Sequence, residues 1–273
     1  MMKLTRTKAV LAGLAATALA APVLANNSWS TYHWLHTTPE LTVQLGDNVD
    51  SRWDAYLAGA NADWNASAVI NSPLVAGSTN PKNCRAVAGT IQVCNSTYGS
   101  TGWLGIASIS LSGGHISQGT TKLNDTYFNT ASYNTPAWRR MVTCQEVGHD
   151  YGLAHQDETF TNYNLGTCMD YTNAPAGGTV NGVAYGPSNE HPNTHDYDQL
   201  NTIYSHFDAV MSTVFARGAG SAPADIGDTP ATWGKAIHFT ADGRPDVYQR
   251  IDGPGQQTIT HVLWAIGEGP RGR

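Results

Sequence analysis

The sequence predicts an α+β fold. Short β-branched segments cluster between residues 85 and 123, three segments of helical period lie outside that cluster, and glycine or proline separates most of them. Residues 32–45, YHWLHTTPELTVQL, are extended in character, with Pro39 dividing them into an edge strand or two pieces. SRWDAYLAGANADW follows with Trp53, Tyr56, Leu57, Ala60 and Trp64 at helical spacing and Asp50 placed to cap. RAVAGTIQV (85–93) alternates, putting Val87, Ile91 and Val93 on one face of a strand. WLGIASISL and HISQGTTKL are two further strands, divided by Gly113 and Gly114. Thr135 and Pro136 open the second helix as N-cap and first helical residue, and Gly152 is placed to end it. A third helix is expected from Thr194, with Tyr197, Leu200, Ile203, Tyr204, Phe207, Val210, Met211 and Val214 in its apolar stripe.

Residues 153–193 are rich in Asn, Thr, Gly and Pro and have little periodicity; with Cys168 inside them, a long loop pinned by a disulfide is preferred to disorder. After Phe215 the composition turns linker-like. The region 216–273 is therefore an extension of unknown role, ending in two strands around Asp252-Gly253-Pro254-Gly255.

Residues 1–25 have the form of a signal peptide: Lys3, Arg6 and Lys8 without an acid, an Ala-rich apolar run, and Val23-Leu24-Ala25 at its end. Its removal takes three of the 15 Lys and Arg and leaves 12 against 21 Asp and Glu, near −9 over about 248 residues. That balance gives nucleic-acid binding no electrostatic support. No later stretch is apolar enough to span a bilayer, so a secreted or periplasmic chain free of the membrane after cleavage is expected. Four cysteines in an oxidising compartment allow three pairings; the economical choice is Cys84–Cys94 with Cys144–Cys168.

The chemistry is concentrated in CQEVGHDYGLAHQD, residues 144–157. Positions 145 and 149 lie one helical turn apart and face the same way, so both can reach one metal ion. Glu146 sits beside them, where it can take a proton from a water on that metal. Gly152 lets the chain turn and bring His155 back to the same point. Gln145 offers only a neutral amide oxygen, a weaker donor to zinc than imidazole. Tyr171 as a phenolate, His115, His191, His195 or Asp157 are the candidates to make up the missing ligand.

These residues resemble the metzincin clan of zinc peptidases, whose signature H-E-x-x-H-x-x-G-x-x-H is met by EVGHDYGLAH in all but its first His. Thr167-Cys168-Met169-Asp170-Tyr171 looks like the clan's Met-turn, with Tyr171 two residues after the Met as in the astacin-like and serralysin-like branches. WLGIASISLSGGHISQGTTKLND is similar to the clan's edge strand and its neighbour, and HDYDQLNTIYSHF to its C-terminal helix. The resemblance spans roughly residues 30–215. It implies a metzincin-like fold, a twisted mixed sheet over the active-site helix (residues 26–152) with a smaller loop-rich lower part and C-terminal helix (153–215). It further implies a monomeric secreted metalloendopeptidase, with zinc on His149, His155 and Gln145, Glu146 as general base, Tyr171 at the oxyanion and Met169 beneath the metal. The Cys144–Cys168 bridge would staple helix to Met-turn, and a peptide or protein substrate would lie along the edge strand preceding the helix. The alternative is a catalytically inactive relative that binds through the same cleft. Only a few residues part Ala25 from the first expected strand, so latency is expected to come from the C-terminal region or from another protein.

Overall fold

The chain enters through β1 (His33–Trp34), β2 (Leu41–Thr42) and β3 (Gln44–Asn48), with Pro39 falling between the first two as its missing N–H requires. The computed structural model describes residues 27–208 and 225–270; the expected signal peptide lies outside them. Helix α1 (Asp54–Trp64) buries Leu57, Ala60 and Trp64. Asp50 is not its cap: Trp53 holds that position without a side-chain bond, and the Asp50 carboxylate accepts instead from Arg52 at 2.6 and 3.1 Å. A charged donor two residues away outcompetes the helix N–H groups.

Two short strands, β4 (Ile70–Asn71) and β5 (Leu74–Ala76), lead to β6 (Thr90–Ser96). The strand expected from residue 85 starts only at Thr90. Gly89, at φ +76°, and a turn closed by the Thr90 N–H on the Val87 carbonyl occupy its first half. β7 (Trp103–Ser112) and β8 (His115–Asn124) form the expected hairpin across Gly113-Gly114. A single-turn α2 (Asp125–Phe128) precedes α3 (Pro136–Asp150), which has Thr135 as N-cap, accepting from the Trp138 N–H, and Pro136 in its first turn. β9 (Gly178–Val180) and β10 (Val183–Gly186) make a small separate hairpin in the loop-rich stretch. Helix α4 (Thr194–Ile203) opens with a capping box between Asn193 and Asp196. It is shorter than its apolar stripe suggests: Phe207 lies beyond its end and is 63% exposed. Val210, Met211 and Val214 lie outside the described residues.

The C-terminal region adds α5 (Pro230–Trp233) and three strands, β11 (Lys235–Phe239), β12 (Pro245–Gly253) and β13 (Gln256–Trp264), the last two making the expected hairpin around Asp252–Gly255. These strands join the main sheet, whose order is β11-β12-β13-β7-β8-β6-β3-β5. The half from β8 to β5 is parallel and the half from β11 to β8 antiparallel, so the α+β class with a mixed sheet holds. β7 is consequently not an edge. β13 pairs with it from Gln256 opposite Ser112 to Trp264 opposite Trp103, taking the backbone groups along which a substrate was expected to lie.

Two apolar cores hold this arrangement. On one face the sheet packs on α1 and α3 through Leu45, Ile91, Ile109, Met141, Val142 and Ile259, among others. The opposite face of β7, β12 and β13 carries a second cluster built on Trp103, Ile106, Trp233, Tyr248, Val262 and Trp264. Period-2 alternation on β13 divides its residues between them, Ile259, His261 and Leu263 facing one way and Thr258, Thr260 and Val262 the other. The disulfides Cys84–Cys94 and Cys144–Cys168 both form.

Candidate metal centre

Helix α3 turns one carboxylate face to the sheet and one imidazole to the end of the helix. Glu146 packs so closely under β7 that a Cβ on Gly105 would lie 2.5 Å from its Oε1, so a side chain there would have to displace Glu146. Asp150, one turn on, accepts from the Thr121 hydroxyl at 2.8 Å. After Asp150 the chain reverses at Gly152, whose φ of +95° and whose contact with the Tyr32 carbonyl, 2.7 Å from where a Cβ would stand, both demand glycine. The reversal places the Leu153 carbonyl 2.7 Å from His149 Nδ1. A carbonyl only accepts, so that nitrogen carries the proton and Nε2 keeps its lone pair.

His155 then comes back against His149. The two Nε2 atoms are 3.0 Å apart, and His155 Nδ1 is 3.3 Å from Glu158 Oε1. The segment after His155 is tied to the expected Met-turn by the Gln156 N–H on the Met169 carbonyl, 2.6 Å, and by the Tyr171 N–H on the Asp157 carbonyl, 3.0 Å. Met169 is fully buried below α3, its sulfur against Gly148. Cys168 is bridged to Cys144 on the helix.

A third imidazole arrives from the C-terminal region. His261 on β13 stacks on His149 with ring centroids 3.9 Å apart, and neither of its nitrogens has a hydrogen-bond partner. Nitrogen atoms of His149, His155 and His261 lie within 4.8 Å of one another. Burial, with the neighbouring imidazoles, pushes the pKa of His149 and of His261 well below the usual histidine range. Both rings are therefore neutral, the form that binds metal. Outward-tied Nδ1 atoms and adjacent Nε2 atoms on His149 and His155, with two orphaned buried nitrogens on His261, are compatible with a zinc site. The set fits.

The other expected site residues are placed as follows. Gln145 is buried and donates from Nε2 to the Cys168 carbonyl at 2.8 Å, leaving its own carbonyl oxygen without a partner. Both Glu146 oxygens are buried and unpartnered, and burial with the nearby Asp150 raises its pKa well above the carboxylate range. The Tyr171 ring lies between Phe160 and His155, and its hydroxyl donates to Asp246 Oδ2 on β12 at 3.2 Å. Burial first, then the Asp246 charge, raises the Tyr171 pKa, so the phenol is neutral. None of the suggested substitutes supplies the third nitrogen. His191 pairs with Asp63 at 2.7 Å, Asp157 accepts from Thr159 and Asn162, His195 lies in the first turn of α4, and His115 belongs to a different cluster. His261 and Asp246 were absent from the sequence-based set. The one signal for His261 is a histidine flanked at period two by Ile259 and Leu263.

No family model matches the sequence, and no curated protein does. Among solved structures, the chain is similar to high choriolytic enzyme 1, a hatching-enzyme zinc protease from Oryzias latipes (medaka fish). Identity is 14% over 66% of this chain and 98% of that one, with a TM-score of 0.36. It is likewise similar to myroilysin, at 13% identity over 66% of this chain and 98% of that one, TM-score 0.36. No helix among the described residues is long and apolar enough to cross a membrane.

Proposed function

We propose that this chain is a secreted zinc-dependent endopeptidase of the metzincin type, held closed in the form described here by its own C-terminal strands. One observation carries the reading: the two motif histidines bring their Nε2 atoms to 3.0 Å while each Nδ1 is tied outward. His149 and His155 would hold the ion from the helix and its return, and His261 would complete a three-imidazole set in place of Gln145. With β13 lifted to admit substrate, zinc left on His149 and His155 would supply Lewis-acid polarisation of a scissile carbonyl and lower the pKa of water. Glu146, three residues before His149 on the helix, would accept the proton of the attacking water. Its present burial favours the neutral acid, so it works as a base only once water reaches it. Tyr171, released from Asp246, would offer a neutral O–H to the developing oxyanion. A peptide or protein substrate, bound by a monomer, would add to β7 in the place β13 now fills.

The first test is zinc content of the mature full chain against His149→Ala and His155→Ala. Loss of a zinc equivalent in both variants is the expected result; unchanged zinc in both overturns the site. The second is peptide hydrolysis after a site-specific cut engineered within residues 209–224, with Glu146→Gln as control. Cutting is expected to raise hydrolysis and Glu146→Gln to abolish it. A second reading, a secreted metal-binding protein without hydrolysis, is favoured by the pairing of β13 along β7 and the burial of Glu146. It gains if the cut chain keeps zinc, releases the 225–270 fragment and still cleaves nothing.

A further inference from the structure

We propose that His33, His206 and Asp208 form a second divalent-metal site that takes zinc, separate from the centre described above. His33 Nε2 and His206 Nε2 are 3.1 Å apart, and each lies 3.3 Å from Asp208 Oδ1. A tetrahedral zinc with bonds of ~2.0–2.1 Å sets its ligand atoms roughly 3.3 Å apart. All three edges of this triangle therefore match one face of such a tetrahedron.

The hydrogen bonds around the triangle point its lone pairs inward. His33 Nδ1 is 2.7 Å from the Thr31 carbonyl, which can only accept, so in the neutral ring Nε2 is a bare acceptor facing a carboxylate. Asp208 is fixed from behind: its Oδ2 accepts the His36 N–H at 2.9 Å, and its own N–H donates to the His36 carbonyl at 3.0 Å. That leaves Oδ1 for the cluster. A third imidazole, His115 at the start of β8, reaches the same Oδ1 at 3.2 Å from another direction and would orient the carboxylate rather than ligate. One proton can serve one edge of the triangle, whereas a divalent ion serves all three at once.

The surroundings suit a metal with one open position. The side chains of His33 and Asp208 are 14% and 10% exposed and that of His206 47%, so the fourth position faces out. Tyr204 packs edge-on to His33, and His36 packs edge-on to His206. A cavity of about 410 Å³ opens beside them, lined by Tyr32, Gln199 and Ile203 along with His33 and His206. Two imidazoles and a carboxylate select a borderline ion, zinc before calcium or magnesium. The ion would clasp β1 to the chain just beyond α4.

The test is titration of the metal-free mature full chain with zinc against a chromophoric chelator, for wild type, His206→Ala, Asp208→Asn and His155→Ala. Asp208→Asn retains an acceptor for the His36 N–H, so the fold is kept. Two equivalents are expected in wild type, with one lost or weakened at least ~10- to 100-fold in His206→Ala and Asp208→Asn. His155→Ala should retain that equivalent and its thermal stabilisation by zinc. A zinc equivalent lost only in His155→Ala, with titrations of His206→Ala and Asp208→Asn superimposable on wild type, overturns the second site and leaves the first. The reverse pattern upholds the second site and removes the metal from the proposed catalytic centre.

Discussion

Trp233→Ala separates a closure device from a merely extended sheet. Trp233 is fully buried in α5, in the cluster on the outer face of β7, β12 and β13, with Tyr248 at 5.2 Å and Trp264 at 6.2 Å in ring-centroid distance. Truncating a buried Trp to Ala costs ~3–5 kcal/mol. None of its ring contacts involves His149, His155 or Glu146, which lie on the opposite face of the sheet. If β11–β13 open as a unit, nearly all of that cost falls on the opening equilibrium. At about 1.4 kcal/mol per tenfold, the open fraction rises roughly 10²- to 4 × 10³-fold. Amide hydrogen exchange reads this directly in the full mature chain. Protection on β13 should fall by that factor while β6, in the parallel half, is spared relative to it, and peptide hydrolysis should rise with it. Leu57→Ala on α1, worth ~2–5 kcal/mol in the other core, is the control; it should lower protection across the sheet without raising hydrolysis. If β13 and β6 amides lose protection equally in Trp233→Ala, the C-terminal strands open only with the whole molecule and the closure argument fails.

Three further outcomes are expected. Gly152→Ala must strain a φ of +95° and push against the Tyr32 carbonyl, costing at least ~1–3 kcal/mol; because the reversal sets both Leu153 and His155, zinc affinity should fall with the melting temperature, and unchanged affinity would detach the turn from the site. Burial raises the Asp170 pKa to about 6 from 3.8, so the folded chain holds a proton that the unfolded chain loses; this contribution is largest below pH ~4 and is lost as pH rises to ~6, on the order of 3 kcal/mol. Asp170→Asn, whose amide oxygen can keep the bonds from Leu165 and Asn189, should remove that slope in urea melts at pH 4.5 and 7, and a wild-type-minus-variant difference independent of pH refutes it. Replacing the Cys144–Cys168 pair, which spans 24 residues, should cost more than replacing Cys84–Cys94, which spans 10, ~3.5 against ~2.7 kcal/mol by loop entropy, in denaturant midpoints at equal m-value.

What was legible in the sequence is what local periodicity and short spacing encode. The β7–β8 hairpin follows from two β-branched runs about a Gly pair, and α3 from Thr135-Pro136 at one end and Gly152 at the other. Glu146, His149, His155, Met169 and Tyr171 fall within 26 consecutive residues and were found together for that reason. The third helix was overdrawn because the stripe of Phe207, Val210 and Met211 continues the period of α4. The period says nothing of the tertiary pairing of Asp208 with His33 and His36 that follows Ile203. His261 was missed for a different reason. Its place is set by the register of β13 on β7, more than 140 residues away in sequence, and register between distant strands leaves no mark in residue spacing.

Gln145 and His261 are linked through this register. On the proposed function, the helix position that lacks an imidazole would be compensated by His261 on β13, the strand that pairs along β7. Closure and metal retention would then be one equilibrium: whatever favours zinc on three imidazoles would favour β13 on β7, and whatever lifts β13 would cost the metal a ligand. A substrate that displaces the strand must work against both. After displacement the metal would rest on His149, His155 and whatever the free carbonyl oxygen of Gln145 can add. Gln145→His would break the linkage by supplying the third nitrogen from the helix itself. On this logic Gln145 weakens the metal site of the open form and thereby holds the equilibrium toward the closed one, which gives a physical role to the residue that departs from the motif.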